Sequence, residues 1–121
     1  KKLGEKAPKI FHVNWFRQDD EGNFMWPGFG DNMRVLLWIL DRCEGKVSAN
    51  ESEIGYLPNM EDIDVTNLDI DKDVLKELLT VDKDVWMEDV KDQKEYFAQF
   101  GDRLPKAISK QLGILEDNLS R

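Results

Sequence analysis

Cysteine and histidine each occur once in the 121 residues, as Cys43 and His12. A lone thiol builds neither a disulfide framework nor a cysteine metal site, and a chain with so little cysteine is expected in the cytoplasm. His12 sits between apolar residues, and no serine or cysteine forms a recognisable nucleophile pair with it, so a hydrogen-bonded core or surface role is expected rather than a catalytic base. No segment approaches the roughly 20 apolar residues needed to span a bilayer. Lys1-Lys2-Leu3-Gly4 has none of the apolar stretch of a signal peptide. Positive charge is scarce as well: 17 Lys and Arg stand against 25 Asp and Glu, for a net charge of -8. Without a basic run above that acidic background, neither nucleic acid nor an anionic membrane is expected as a partner.

The phosphate and metal motifs are missing too. Gly28-Phe-Gly30 is followed by Met33 where a dinucleotide fingerprint places its third glycine, and no Gly-Lys-Ser/Thr phosphate loop occurs. A bound phosphate would draw its positive charge from outside this chain. Asp62-Ile-Asp64-Val-Thr66 starts like a calcium loop, but its sixth position is Asn67 and its twelfth Asp73. The acidic residues from Glu61 to Asp73 are therefore expected to be a solvated, helix-capping face. No metal ligand set and no general acid and base pair stands out, so no metal-binding or catalytic residue is expected here.

What is present is an aromatic concentration, Val13-Asn-Trp-Phe-Arg17 and Phe24-Met-Trp-Pro-Gly-Phe-Gly-Asp-Asn32. A flat heterocycle needs aromatic faces and a polar group at its edge. Stacking one base on an aromatic ring is worth about 1–3 kcal/mol, and an asparagine amide offers a donor and an acceptor together. Phe16, Phe24 and Phe29 can supply the faces and Asn32 the edge. Asp19-Asp20-Glu21-Gly22-Asn23 is a turn-rich insert that would return Phe24 beside Phe16 as a hairpin. Pro27-Gly28-Phe29-Gly30 then forms a second turn, with glycines that permit positive φ or a close backbone approach. By composition and spacing alone, such a cluster is more often buried core or an interface anchor.

Around it the chain reads as α+β. Lys9 to Phe16 is expected as a strand with Phe24 to Trp26 as its partner. Asp31 is a candidate N-cap for a helix from Met33 to Cys43, closed at Gly45. Six consecutive apolar residues from Val35 to Leu40 leave that helix hydrophobic nearly all round, which predicts burial between two layers. A 121-residue chain has little material to cover both sides. Together with the missing initial methionine and the turn-dense first half, this favours a C-terminal portion of something longer. Lys46 to Asp71 has no usable period and is expected as loop with one short strand. Asp73 is read as the cap of a helix over Val74 to Leu79. Asp82 caps a longer one to Phe100, with Trp86, Val90, Gln93, Phe97 and Phe100 along one face. Pro105 opens a last helix striped by Ile108, Leu112, Leu115 and Leu119, and the two are expected as an antiparallel pair.

Pro8-Lys-Ile-Phe-His-Val-Asn-Trp-Phe-Arg17, with Phe24-Met-Trp-Pro-Gly-Phe-Gly-Asp-Asn-Met-Arg-Val-Leu36, closely resembles the C-terminal part of the GTP-dependent phosphoenolpyruvate carboxykinases. Ile54-Gly-Tyr-Leu-Pro58, Leu78-Leu-Thr-Val-Asp82 with Trp86, and Phe100-Gly-Asp-Arg-Leu-Pro105 extend the likeness, which is weakest over Asn59 to Asp71. The resemblance implies a C-terminal piece of the nucleotide-binding lobe of a two-lobed α/β fold, with a guanine-binding hairpin and turn at 11–32 and a helical tail at 33–121. It implies a base held between Phe16 and Phe29 with Phe24 at its side. Asn32 would read the guanine edge, Gly30 and Asp31 would share its turn, and Trp15 and Trp26 would give support. The ligand implied is GTP or GDP.

The parent activity implied is conversion of oxaloacetate and GTP to phosphoenolpyruvate, carbon dioxide and GDP, a step toward gluconeogenesis. The family's phosphate loop with its reactive cysteine, its Mn2+ or Mg2+ ligands, its catalytic lysines and arginines and its lid lie upstream and have no counterpart here. The chain alone is then expected to be inert, with the upstream lobe of the same enzyme as its partner. Two rival expectations are an autonomous binding module built on the aromatic patch, and a piece that self-associates through the surface its neighbour would cover.

Overall fold

The computed structural model describes residues 3–121. They pack as two compact units, one formed by the stretch ending at Asn50 with Pro58–Leu79, the other by Glu51–Leu57 with Thr80–Arg121.

After a 3₁₀ turn at Gly4–Lys6, the first unit continues as an extended segment that meets no neighbouring strand. A strand needs a partner for its N–H and C=O groups, and only the far end of this segment finds one. Gln18 bridges Phe24 in antiparallel fashion, and Met25 N–H donates to the Arg17 carbonyl at 3.0 Å. The expected strand from Lys9 to Phe16 is thus corrected to extended chain ending in a tight reversal. Helix α1 spans Asn32–Glu44. Gly45 closes it in the left-handed conformation at φ 75°, with Gly45 N–H on the Arg42 carbonyl and Lys46 N–H on that of Asp41, the paired bonds of a Schellman end. Helix α2 spans Lys72–Leu78 and begins earlier than expected. Asp71, and not Asp73, caps it, its carboxylate accepting from Asp73 N–H at 2.8 Å. The longer start lets Leu75 N–H reach the Asp71 carbonyl at 3.0 Å, a full first turn for a short helix.

Trp26, Ile63 and Leu75 form the buried centre of this unit, with Trp15, Val35, Met60 and Leu68 packed against it. Polar ties hold the same pieces. Arg17 donates to the Glu77 carbonyl at 3.0 Å, satisfying the C-terminal end of α2 with a cation. Helix α1 buries Trp38 but leaves Met33, Leu36, Leu37 and Leu40 between 40% and 56% exposed. Burial between two layers, expected from the apolar run, is therefore not met within the described residues.

In the second unit, β1 (Asn50–Ser52) and β2 (Gly55–Leu57) form a two-stranded sheet where one strand was expected. Gly55 takes φ 133° at the turn, and its carbonyl accepts from Ser52 Oγ at 2.7 Å. Helix α3 spans Lys83–Ala98, and Asp82 caps it as expected, accepting from the N–H groups of Asp84 and Val85. Helix α4 spans Lys106–Leu119, with Pro105 as its N-cap instead of its first residue. Val90 is wholly buried, and Leu119 nearly so. Gln93, the polar interruption of the α3 stripe, donates to Asp89 at 2.7 Å one turn back, which satisfies its amide. Glu53 meets both the start of α3, through Lys83 at 2.8 Å, and the end of α4, through Asn118 at 3.5 Å. The two helices consequently run antiparallel.

Truncating the first unit's centre tests this packing. Leu75→Ala is expected to lower the unfolding free energy by about 2–5 kcal/mol, the range for a large-to-small change in a packed core. Equilibrium urea unfolding would measure it, and a loss under about 0.5 kcal/mol, typical of a surface site, would remove Leu75 from the core.

Candidate functional site

Asp19 makes the first turn of the aromatic region. Its carboxylate accepts from the N–H groups of Glu21 at 2.9 Å and Asn23 at 2.8 Å, and from the Asn23 side chain. Gly22 supplies the positive φ, 83°, on which the turn pivots. The Asn23 backbone N–H, aided by the Asn23 side chain, holds the Asp19 carboxyl below its ordinary range. This reversal sets Phe24 beside Phe16, ring centroids 5.9 Å apart at 65°, an edge-to-face pair. Asn14 steadies the approach by accepting from Phe16 N–H at 2.9 Å.

The second turn depends on Gly28. Its φ of 107° and ψ of -152° fall in a region that a side chain effectively forbids. Gly30 has no positive φ, and space is open around the place where its Cβ would be. Phe29–Asp31 then makes a single 3₁₀ turn leading into α1. The consequence is a phenyl ring 96% exposed at Phe29. Phe16 and Phe24 are also open, at 71% and 60%. Trp26 is 5% exposed, and Trp15 packs partly buried against the same core. The two roles allowed for the aromatic cluster are thus divided between residue types: the tryptophans are core and the phenylalanines face water.

A polar chain links the two turns. Trp26 Nε1–H donates to Asn32 Oδ1 at 2.9 Å, joining the return arm of the reversal to the first residue of α1. Asp31, next to it, does not cap the helix with its side chain. It accepts instead from Arg34 Nε at 2.9 Å. Arg34 spends its other nitrogens on the carbonyls of Asp64 at 2.7 Å and Thr66 at 3.1 Å. One guanidinium therefore fastens the site turn to the 64–66 loop, a tie that hydrophobic periodicity gave no way to find. In that loop the Asp64 carboxyl is also held low, chiefly by its hydrogen bonds to Thr66.

The structure therefore brings Phe16 to Phe24, Trp26 to Asn32, and Asp31 to Arg34, and leaves Phe29 projecting from the turn between them. Such a surface can stack a planar ring and offer an amide at its edge. Among the described residues no three His, Cys, Asp or Glu side chains gather to hold a metal ion. No described helix is long and apolar enough to cross a membrane.

The chain is similar to known proteins over nearly its whole length. The family described as phosphoenolpyruvate carboxykinase C-terminal P-loop domain matches residues 1–118. Proteins named phosphoenolpyruvate carboxykinase [GTP] are 44% identical in Corynebacterium glutamicum (strain R) and 46% identical in Treponema pallidum (strain Nichols), each over 98% of this chain and 20% of the relative. One from Neocallimastix frontalis is 47% identical over 94% of the chain and 19% of its own length. The chain spans about a fifth of the curated relatives it matches.

Two outcomes follow from the turn geometry. Gly28→Ala is expected to destabilise by roughly 1–3 kcal/mol through backbone strain alone, with Gly30→Ala near neutral in the same denaturation assay; equal effects would refute the assignment of the turn to Gly28. The Asp19 turn should respond to acid. Because its folded pKa lies below the unfolded value, its contribution is present above about pH 4 and fades as pH falls through the lowered folded value. Amide shifts of Glu21 and Asn23 followed by NMR are expected to titrate with a midpoint below 3.8; a midpoint at or above that value would count against the capping bonds.

Proposed function

Since this chain belongs to the GTP-dependent phosphoenolpyruvate carboxykinase family, matching its C-terminal P-loop domain over residues 1–118, we propose that residues 11–32 hold the guanine base of its nucleotide. The whole enzyme would convert oxaloacetate and GTP to phosphoenolpyruvate, carbon dioxide and GDP, in the direction of gluconeogenesis. The observation that carries the site is the exposure of Phe16, Phe24 and Phe29 on a region otherwise fixed by the buried Trp26. Phe29, at 96% exposure, forgoes about 1.5–3 kcal/mol that full burial would return, Phe16 and Phe24 forgo part of it, and a stacked base recovers some of that by covering the rings.

In this reading Phe16 and Phe29 take the two faces of the base and Phe24 its side. Asn32 reads the edge, and Gly30 and Asp31 share its turn, which Asp31 ties to Arg34. Trp15 and Trp26 form the floor. Selection of guanine follows because a mismatched edge leaves buried polar groups unpaired, at about 1–3 kcal/mol each. Phosphates and the Mn2+ or Mg2+ ion would be held by the upstream lobe, since this sequence has no Gly-Lys-Ser/Thr loop. The half-open apolar face of α1, around Met33, Leu37 and Leu40, fits packing against that lobe. A second reading rests on the same face: alone, the chain would self-associate or bind a partner through it, and sedimentation independent of concentration would oppose self-association.

Titration with GDP and with ADP, followed by tryptophan fluorescence, tests the site. A guanine-selective response is expected, weakened about 5- to 150-fold by Phe29→Ala through loss of roughly 1–3 kcal/mol of stacking. In the whole enzyme, Asn32→Ala is expected to erode the preference for GTP over ATP. Nucleotide ratios of kcat/KM that stay at the wild-type level would remove Asn32 from the reading.

A further inference from the structure

We infer that Trp26 sets base specificity, by locking the Asn32 amide in the one orientation that presents its Nδ2 as a hydrogen-bond donor to the 6-position of a purine. The inference rests on the guanine-site reading above and deepens it. An indole N–H only donates, so the Asn32 atom 2.9 Å from Trp26 Nε1 has to be the amide oxygen. Turning the amide over would set its NH2 against the indole N–H, donor to donor, at a position where Trp26 is 5% exposed. Trp26 cannot swing aside, because its ring is packed with Ile63 and Leu75 at the centre of the unit.

The chemical consequence is polarity. An unrestrained asparagine serves either edge, since half a turn of its terminal torsion exchanges donor for acceptor. With Oδ1 committed to Trp26, Nδ2 is the group left to meet a ligand, and no described residue accepts from it. Guanine carries an acceptor oxygen at the 6-position and adenine a donor amino group. A locked donor pairs with the first and opposes the second. Trp26 thus acts through Asn32, as a positioning residue, and its effect belongs in the ratio between nucleotides more than in the rate with either.

The test uses the full-length enzyme carrying this chain, with kcat and KM measured for GTP and ATP. Trp26→Phe keeps an aromatic ring and deletes the donor. It is expected to lower the GTP to ATP ratio of kcat/KM roughly five- to tenfold, the value of one hydrogen bond, with no further fall when added to Asn32→Ala. A parallel loss with both nucleotides, leaving the ratio unchanged, would make Trp26 a packing residue only and overturn the lock. Asn32→Asp serves where Trp26→Phe does not fold. It retains an oxygen for the indole and replaces the outward donor with an acceptor, so guanine preference is expected to fall at least as far as in Asn32→Ala. Retained preference in Asn32→Asp would mean that oxygen faces the base, which refutes the proposed orientation. Should Asn32→Ala itself leave the ratio at the wild-type value, the guanine-site reading fails and the lock with it; collapse in Asn32→Ala beside an unchanged Trp26→Phe overturns the lock alone.

Discussion

The indole of Trp26 does two things at once, and the organisation of the first unit depends on both. Its ring is buried with Ile63 and Leu75, while its N–H reaches Asn32 at the start of α1. The apolar half brings together three parts of the chain distant in sequence: the reversal, the 60s loop and α2. The polar half fixes α1 against that assembly. A phenylalanine in its place would retain much of the packing and none of the attachment, because hydrophobic burial has no direction and a hydrogen bond does.

Arg34 and Arg17 repeat this economy at the periphery. Arg34 joins Asp31 to two loop carbonyls, and Arg17 joins the reversal to the last turn of α2. Both use the several donors of a guanidinium to satisfy backbone carbonyls that irregular loops leave without a ladder partner. The open phenylalanines can stay in water because these polar ties, along with the tryptophan core, carry the structural burden. Exposure of Phe29 at 96% is costly on a surface with no ligand, and under the proposed guanine site the ring would serve as a stacking face.

Legibility along the chain followed the range of the interactions involved. The Gly45 end of α1, the Asp82 cap of α3 and the burial of Val90 are local patterns, and each stands where the sequence places it, whereas the expected run to Phe100 stops at Ala98 and leaves Phe100 39% exposed. Errors arose where two local choices were equally good or where a partner was required. Asp71 and Asp73 both suit an N-cap, and the extra hydrogen bond of the longer helix decided between them. Lys9 to Phe16 has strand-like composition but no neighbouring strand, and β propensity without a partner gives extended chain only. The sheet at Asn50–Leu57 was half hidden, since three-residue strands carry too few positions to show alternation.

The residue types of the candidate site were visible without coordinates: three phenylalanines, an asparagine and paired glycines within one stretch, together with their likeness to a known family. Composition also settled the shortage of positive charge and the missing phosphate loop. The likeness already set the phenylalanines toward a base and the tryptophans in support, but the burial of Trp26 and the way the Asn32 amide faces belonged to tertiary structure. Phe and Trp are equally able to fill a core or to meet a base, so composition and spacing leave their roles interchangeable. Contacts of Trp26 with Ile63 and Leu75, far along the chain, make the choice, because burial is a property of the assembled surface and not of any single side chain.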